Sequence, residues 1–172
     1  MALHIDNMIL PGSEKAFTIG TRTPANNLNE LHPFYRSLLE TPVTAALVTT
    51  NADGSPQLTP SWCDHDGTYI NLNSVRGRLK DRNIRKRSSV TLLLMNPENP
   101  YHWITVVGTV EQIIEEDDPQ MGHLATESID VLAKKYLGVT PYPLRDPKGE
   151  VRVLYKVRPT QIVTFGAIPQ EQ

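Results

Sequence analysis

Between Thr44 and Asn73 three period-two segments follow one another with only turns between them, and this constrains the fold more than any other feature of the sequence. TAALVTT (44–50) is a short apolar run, and PQLTPSWC (56–63) sets Leu58, Pro60 and Trp62 on one face. TYINLN (68–73) turns Ile70 and Leu72 one way and Tyr69, Asn71 and Asn73 the other. The links NADGSP and DHDG carry Asp-Gly turn signals and are too short for the crossover that parallel pairing demands. The segments must therefore pair antiparallel. Pro60 has no amide hydrogen, which predicts an edge, a bulge or a neighbour other than a strand, such as a ligand.

Further strands follow. SVTLLLM (89–95) reads as buried on both faces and is broken by NPENP. YHWITVVGTVEQI (101–113) reads as one long strand with a bulge or close backbone approach at Gly108. EVRVLYKV (150–157) and QIVTFG read as two last strands divided by Pro159. Two helices flank them. Leu28, Leu31, Tyr35, Leu38 and Leu39 recur at helical spacing, with Pro33 in the first turn. In DDPQMGHLATESIDVLAKKYLG, Asp118 is the expected cap and Pro119 the first helical residue, while Lys134, Lys135 and Gly138 close the helix. The expected class is α+β, an antiparallel sheet curled into a small β-barrel with flanking helices. Residues 1–27, with Pro11, Gly12, Gly20 and Pro24 and no sustained period, read as an N-terminal arm, and 28–172 as a single domain.

Charge and composition then exclude several functions. A net charge of -2 offers no global field for a polyanion, so any anion affinity is local. The one cysteine, Cys63, cannot form an internal disulfide and has no histidine nearby in sequence. With no basic, apolar leader at MALHIDNMILPGSEK and no run long enough to span a bilayer, a soluble, cytoplasmic protein is expected. His4, His32, His65, His102 and His123 are scattered without ligand spacing, so no metal is expected. Glu115, Glu116, Asp117 and Asp118 precede a helix and are read as complementing its dipole.

The local exception is GRLKDRNIRKR, at 77–87. It reads as a solvated helix face, a nucleic-acid patch or the seat of a small phosphorylated ligand. A strand ending NLNS, a turn, and a short helix with Leu79 and Ile84 inward would set backbone amides beside Arg78 and Lys80. The planar arginine fork and the lysine point charge suit a phosphate. Arg85, Lys86 and Arg87 fit a solvated face equally well. Single-stranded nucleic acid would need aromatic platforms, and the run has none. A flat ring needs an apolar slot and a phosphate anchor; Trp62, Tyr101 and Trp103 are candidates for that slot, and Trp62 and Trp103 fit an ordinary core equally well.

Taken in order, TAALVTTNADGSPQLTPSW, DGTYINLNS, GRLKDRNI, SVTLLL, NPENPYHWITVVGTVEQI, LAKKYLG and RVLYKVRPTQIVTF resemble the split β-barrel flavin and deazaflavin oxidoreductases. These are relatives of pyridoxamine 5'-phosphate oxidase, and the resemblance is greatest to the branch that uses coenzyme F420. It spans roughly residues 40–166, and RxKxRN followed by NPxNPY is its most specific part. It implies a homodimer with two cofactor sites at the subunit interface. Arg78 and Lys80 match the basic pair at the cofactor phosphate, and Asn83 the polar residue after it. Thr59, Pro60, Ser61 and Trp62 match the strand beside the ring, and Asn73, Ser74 and Val75 the turn near the ribityl chain. Tyr101 and Trp103 match residues entering from the partner. The strand segment QLTPSW lacks the arginine-bearing pattern of true pyridoxamine phosphate oxidases, and the Arg/His-bearing tail is not found, which disfavours that reaction. The implied cofactor is F420, with FMN the alternative. The implied reaction is hydride transfer from the reduced deazaflavin to an electron-poor double bond, with Tyr101 or water delivering the proton. A non-enzymatic flavin- or tetrapyrrole-binding dimer is the alternative class.

Overall fold

The computed structural model describes residues 27–146, 148–166 and 168, with the backbone of 8–9 and 16–17. Most of the expected N-terminal arm therefore lies outside the described residues; Met8–Ile9 (β1) and Ala16–Phe17 (β2) pair antiparallel. The remaining strands, β3 (Ala45–Thr50), β4 (Pro56–Ser61), β5 (Cys63–His65), β6 (Ile70–Val75), β7 (Ser89–Met95), β8 (Trp103–Glu115) and β9 (Arg152–Phe165), form one antiparallel sheet. Its order is β4-β3-β7-β8-β9-β6-β5.

That order carries a geometric consequence. β4 and β5 are consecutive in the chain, separated by Trp62 alone, yet they occupy opposite edges of the sheet. The sheet must curl until its edges meet at that residue. It is thus a split barrel, continuous through the chain at the seam but not closed by hydrogen bonds there. Pro60 sits where its missing amide is tolerated, on edge strand β4, opposite Ala46.

Alternation places Ala45, Leu47, Ile70, Leu72, Leu92, Ile104, Val106, Val153 and Tyr155 inside the barrel. The helix α1 (Pro33–Glu40) adds Tyr35, Leu38 and Leu39 to this core, with Pro33 at its first turn as expected. The helix α2 (Leu79–Lys86) adds Ile84, whose burial stabilises by about 2 kcal/mol. Leu79, expected to face inward, is instead 45% exposed; the buried positions of α2 are Asp81, Asn83 and Ile84. The helix α3 (Gly122–Leu137) lies against β6, β8 and β9. It begins later than Asp118, whose carboxylate accepts from the amides of Gln120 and Met121 and so stabilises the preceding turn. Gly138, at φ 73°, ends it.

The two expected last strands are one. β9 runs through Pro159 because the ladder is irregular there, with Gly108 of β8 opposite the proline. A Cβ on Gly108 would come within 2.6 Å of Val157 Cγ1 and 2.7 Å of the Arg158 carbonyl, so the close approach foreseen at this glycine is real. β7 differs from its expected double burial: Leu93 and Met95 are exposed on the outer side. Among the described residues no helix is long and apolar enough to cross a membrane.

Candidate functional site

The seam creates a concavity. Where β4 gives way to β5, its end, Pro60 to Trp62, faces α3, the end of β6, the start of α2 and the first residue of β9. A cavity of about 240 Å³ lies there, lined by Thr44, Pro60, Ser61, Trp62, Asn73, Arg78, Lys80, Ile129, Leu132, Tyr142 and Arg152. Residues scattered from 44 to 152 in sequence are thereby brought to one place.

One wall is aromatic. Trp62 stacks on Tyr136 of α3, with centroids 5.0 Å apart and planes 8° apart, and meets Tyr142 edge-on at 6.1 Å. The stacking fixes the indole while leaving it half-buried at the cavity. Tyr136 is held in turn, its hydroxyl donating to the Val43 carbonyl at 2.8 Å. Burial pushes the Cys63 thiol up to about 11, so this fully buried group is no nucleophile.

The opposite wall is basic. Gly77, at φ 83°, turns the chain from β6 into α2, and its amide donates to Asp81 at 2.7 Å. Asp81 also accepts from Tyr155 Oη at 2.7 Å and Arg85 Nε at 2.9 Å. This buried carboxylate pins the turn that carries Arg78 and Lys80. Lys80 is half-buried, and burial first, then the Arg78 charge, holds its pKa below the ordinary lysine range. No carboxylate pairs with it among the described residues, whereas Arg78 and Arg152 both reach Glu150. The polar lining is also incompletely used. Asn73 donates to the Ala125 carbonyl at 2.8 Å, but its Oδ1 is buried without a partner, as is Arg152 Nε; Thr59 Oγ1, Asn71 Oδ1 and Ser74 Oγ are also unpartnered but belong to residues outside the lining. Buried polar atoms are rarely left unpaired, so the two in the lining leave hydrogen-bonding capacity for a polar ligand at the cavity.

The rest of the basic run has other tasks. Arg76 and Arg85 pair with Glu115, and Arg76 with Asp117. Arg145 pairs with Glu116. The acidic stretch before α3 is thus tied into ion pairs in addition to any dipole effect. Arg87 Nε donates to the Thr50 carbonyl at 3.0 Å.

Of the expected site residues, Pro60, Ser61, Trp62, Asn73, Arg78 and Lys80 line the cavity. Thr59 and Ser74 are inward neighbours on the same strands, and the Val75 carbonyl accepts from the Arg78 amide at 3.3 Å. Asn83 lies elsewhere: its amide nitrogen bonds Thr49 at 3.1 Å and Asn51 at 2.9 Å, tying α2 to the β3–β4 hairpin. Tyr101 and Trp103 are also apart from the cavity, grouped with Phe165 at the far end of β8. Arg152, Tyr142, Ile129 and Leu132 were not legible in sequence, because only the return of β9 and α3 over the seam brings them in. EVRVLYKV signalled the strand, but nothing local marked its arginine as buried.

Comparison with known proteins agrees with this geometry. The pyridoxamine 5'-phosphate oxidase family model matches residues 31–164. An F420 reductase of known structure is 34% identical, covering 74% of this chain and 94% of its own, with a TM-score of 0.62. The conserved protein Rv2991 of Mycobacterium tuberculosis is 19% identical over 79% of this chain and 87% of its own, at a TM-score of 0.61. HutZ, the haem-storage protein of Vibrio cholerae, is 15% identical over 80% and 96%, at 0.58. The last two share the fold. No curated protein matches the sequence.

Proposed function

The chain belongs to the pyridoxamine 5'-phosphate oxidase family of split barrels, and from that premise we propose that it is an oxidoreductase using the deazaflavin coenzyme F420. The observation that carries this reading is the cavity itself, where an aromatic wall faces Lys80, a half-buried cation with no carboxylate partner among the described residues. An unspent donor at Arg152 and an unspent acceptor at Asn73 fit a ligand that is polar along one side. The F420 reductase at 34% identity supports the deazaflavin over other flavins. So does β4, which carries no arginine to meet a doubly charged phosphate.

When bound, F420 supplies hydride transfer at C5, here to an electron-poor double bond of an organic acceptor. The chain's part is positional. Lys80 and Arg78 would hold the phosphate, Pro60, Ser61 and Trp62 would flank the ring, and Asn73 would meet the polyol. Asn83 serves by fixing α2, and Tyr101 and Trp103 reach a site only across a dimer.

A second chain would supply the wall this cavity lacks. At about 240 Å³ the cavity is smaller than the roughly 300–1,000 Å³ of ligand pockets. A homodimer that brings a partner's wall over it completes the enclosure. The test is titration of the apoprotein with F420 and with FMN, followed by oxidation of reduced F420 on adding an unsaturated acceptor. Tighter F420 binding and turnover are expected; tighter FMN binding would replace the cofactor assignment, and binding without turnover would leave a carrier protein.

A further inference from the structure

Two arginines from different elements converge on one carboxylate at the cavity. Arg78, at the start of α2, donates to Glu150 Oε1 at 3.3 Å, and Arg152, on β9, donates to Oε2 at 3.1 Å. Glu150 belongs to the loop entering β9 and is 27% exposed. It bridges two guanidiniums as one anionic group of a ligand would. Arg152 is 6% exposed in its side chain and also lies over the Tyr142 ring at 4.9 Å, yet its Nε is buried without a partner. The seat therefore has an unspent buried donor and an unpaired Lys80, beside a carboxylate that already takes up part of the arginines' capacity.

We propose that Glu150 sets the charge this seat accepts, favouring a singly charged phosphodiester over a doubly charged phosphate monoester. The inference rests on the cofactor reading above. Either ligand is drawn by Arg78, Lys80 and Arg152, but each further negative charge is also repelled by Glu150 across a partly desolvated space. A diester offers two free oxygens, which Lys80 and the remaining guanidinium donors satisfy with Glu150 in place. A monoester brings a third oxygen and a second charge, and must compete with Glu150 for the same arginines. Selectivity arises from the repulsive element as much as from the attractive ones.

The experiment compares wild type with Glu150→Gln, which keeps size and an acceptor oxygen but removes the charge. Both proteins are titrated with F420 and FMN at one ionic strength, with Glu150→Asp as the charge-conserving control and thermal melting as the check on folding. Glu150→Gln is expected to shift the ratio of the two dissociation constants toward FMN by about fivefold, the size of one partly exposed charge interaction. Glu150→Asp should keep the wild-type ratio.

A pH arm separates charge from shape. The FMN phosphate dianion takes up a proton and becomes a monoanion near pH ~6. The charged groups around it are Arg78 and Lys80 at α2, Lys80 the same in wild type and variant, and Arg152 and Glu150 at β9, with Glu116 behind, accepting from the Arg152 amide at 3.0 Å and paired with Arg145. No histidine is among the described residues lining the cavity. The difference between wild type and Glu150→Gln toward FMN should therefore shrink as pH falls through that value. Equal gains for both ligands, or loss of both, would overturn the proposal by showing a non-selective competitor or a structural brace. Binding of neither ligand to either protein would overturn it together with the cofactor reading. Tighter FMN binding by wild type would overturn the cofactor assignment alone, with the ratio shift still judging Glu150.

Discussion

Asp81, the single acid between Arg76 and Arg87, is 2% exposed and holds Gly77, Arg85 and Tyr155 at once. Removing it leaves Arg85 and the Tyr155 hydroxyl without their buried acceptor. Asp81→Ala is expected to lower stability by about 3 kcal/mol, read from denaturant midpoints, and to weaken phosphate binding by loosening the turn before α2. Arg78→Ala and Lys80→Ala should each weaken F420 binding by about 1.5–3 kcal/mol, Arg78 toward the lower end because it is 54% exposed. Arg87→Ala should spare binding and lower the melting temperature slightly, since its contact is with the Thr50 carbonyl. Lys80 also gives a pH signature. Its pKa is depressed in the free protein, and only the protonated form attracts an anion. Affinity is therefore expected to fall as pH rises through that depressed pKa, and Lys80→Arg should flatten the fall in a titration series.

At the scale of elements, β8 and β9 meet at Gly108 and Pro159, and the strand order depends on that meeting. The proline can stay in the ladder because Gly108 lets the backbones close, with no room for a methyl group beside Val157 and Arg158. Gly108→Ala is expected to cost about 1–3 kcal/mol by overpacking, seen as a lower urea midpoint with unchanged m-value. Here the sequence was half legible. The glycine announces a close approach, but Pro159 reads as a break, because the extra residue that lets β9 run on, Thr160, carries no signal that sets it apart from a turn. The basic run was similar: its sign and the helix were visible, but which cations faced acids 30 or more residues away was not.

For the whole molecule, the outer side of the sheet is the feature a single chain leaves unexplained. Cross-strand register aligns Pro60, Ala46, Leu93, Thr105 and Val163 in one row, with Leu58, Val48, Thr91 and Val107 beside it. Leu58 is 65% exposed, Met95 46% and Tyr101 52%. The row ends at Pro60, on the rim of the cavity, so a second copy seated on this face would cover the apolar surface and enclose the site together. Light scattering should show a dimer. Leu93→Glu should yield a folded monomer that binds F420 weakly; tight binding by that monomer would refute a shared site.

What the sequence determined by itself was where the chain is extended, the antiparallel pairing, the helices and a basic turn after NLNS, though not that 56–63 divides at Trp62 or that 152–165 is one strand. All of these follow from local period, turn chemistry and charge, which act over a few residues. The tertiary structure decided that β4 and β5 lie at opposite edges of one sheet, that Asp81 is buried, and that Arg152 and Glu150 join Arg78 and Lys80. Those outcomes depend on how far the sheet curls before its edges meet. That curvature is summed over seven strands and their register, and no short stretch of sequence encodes it.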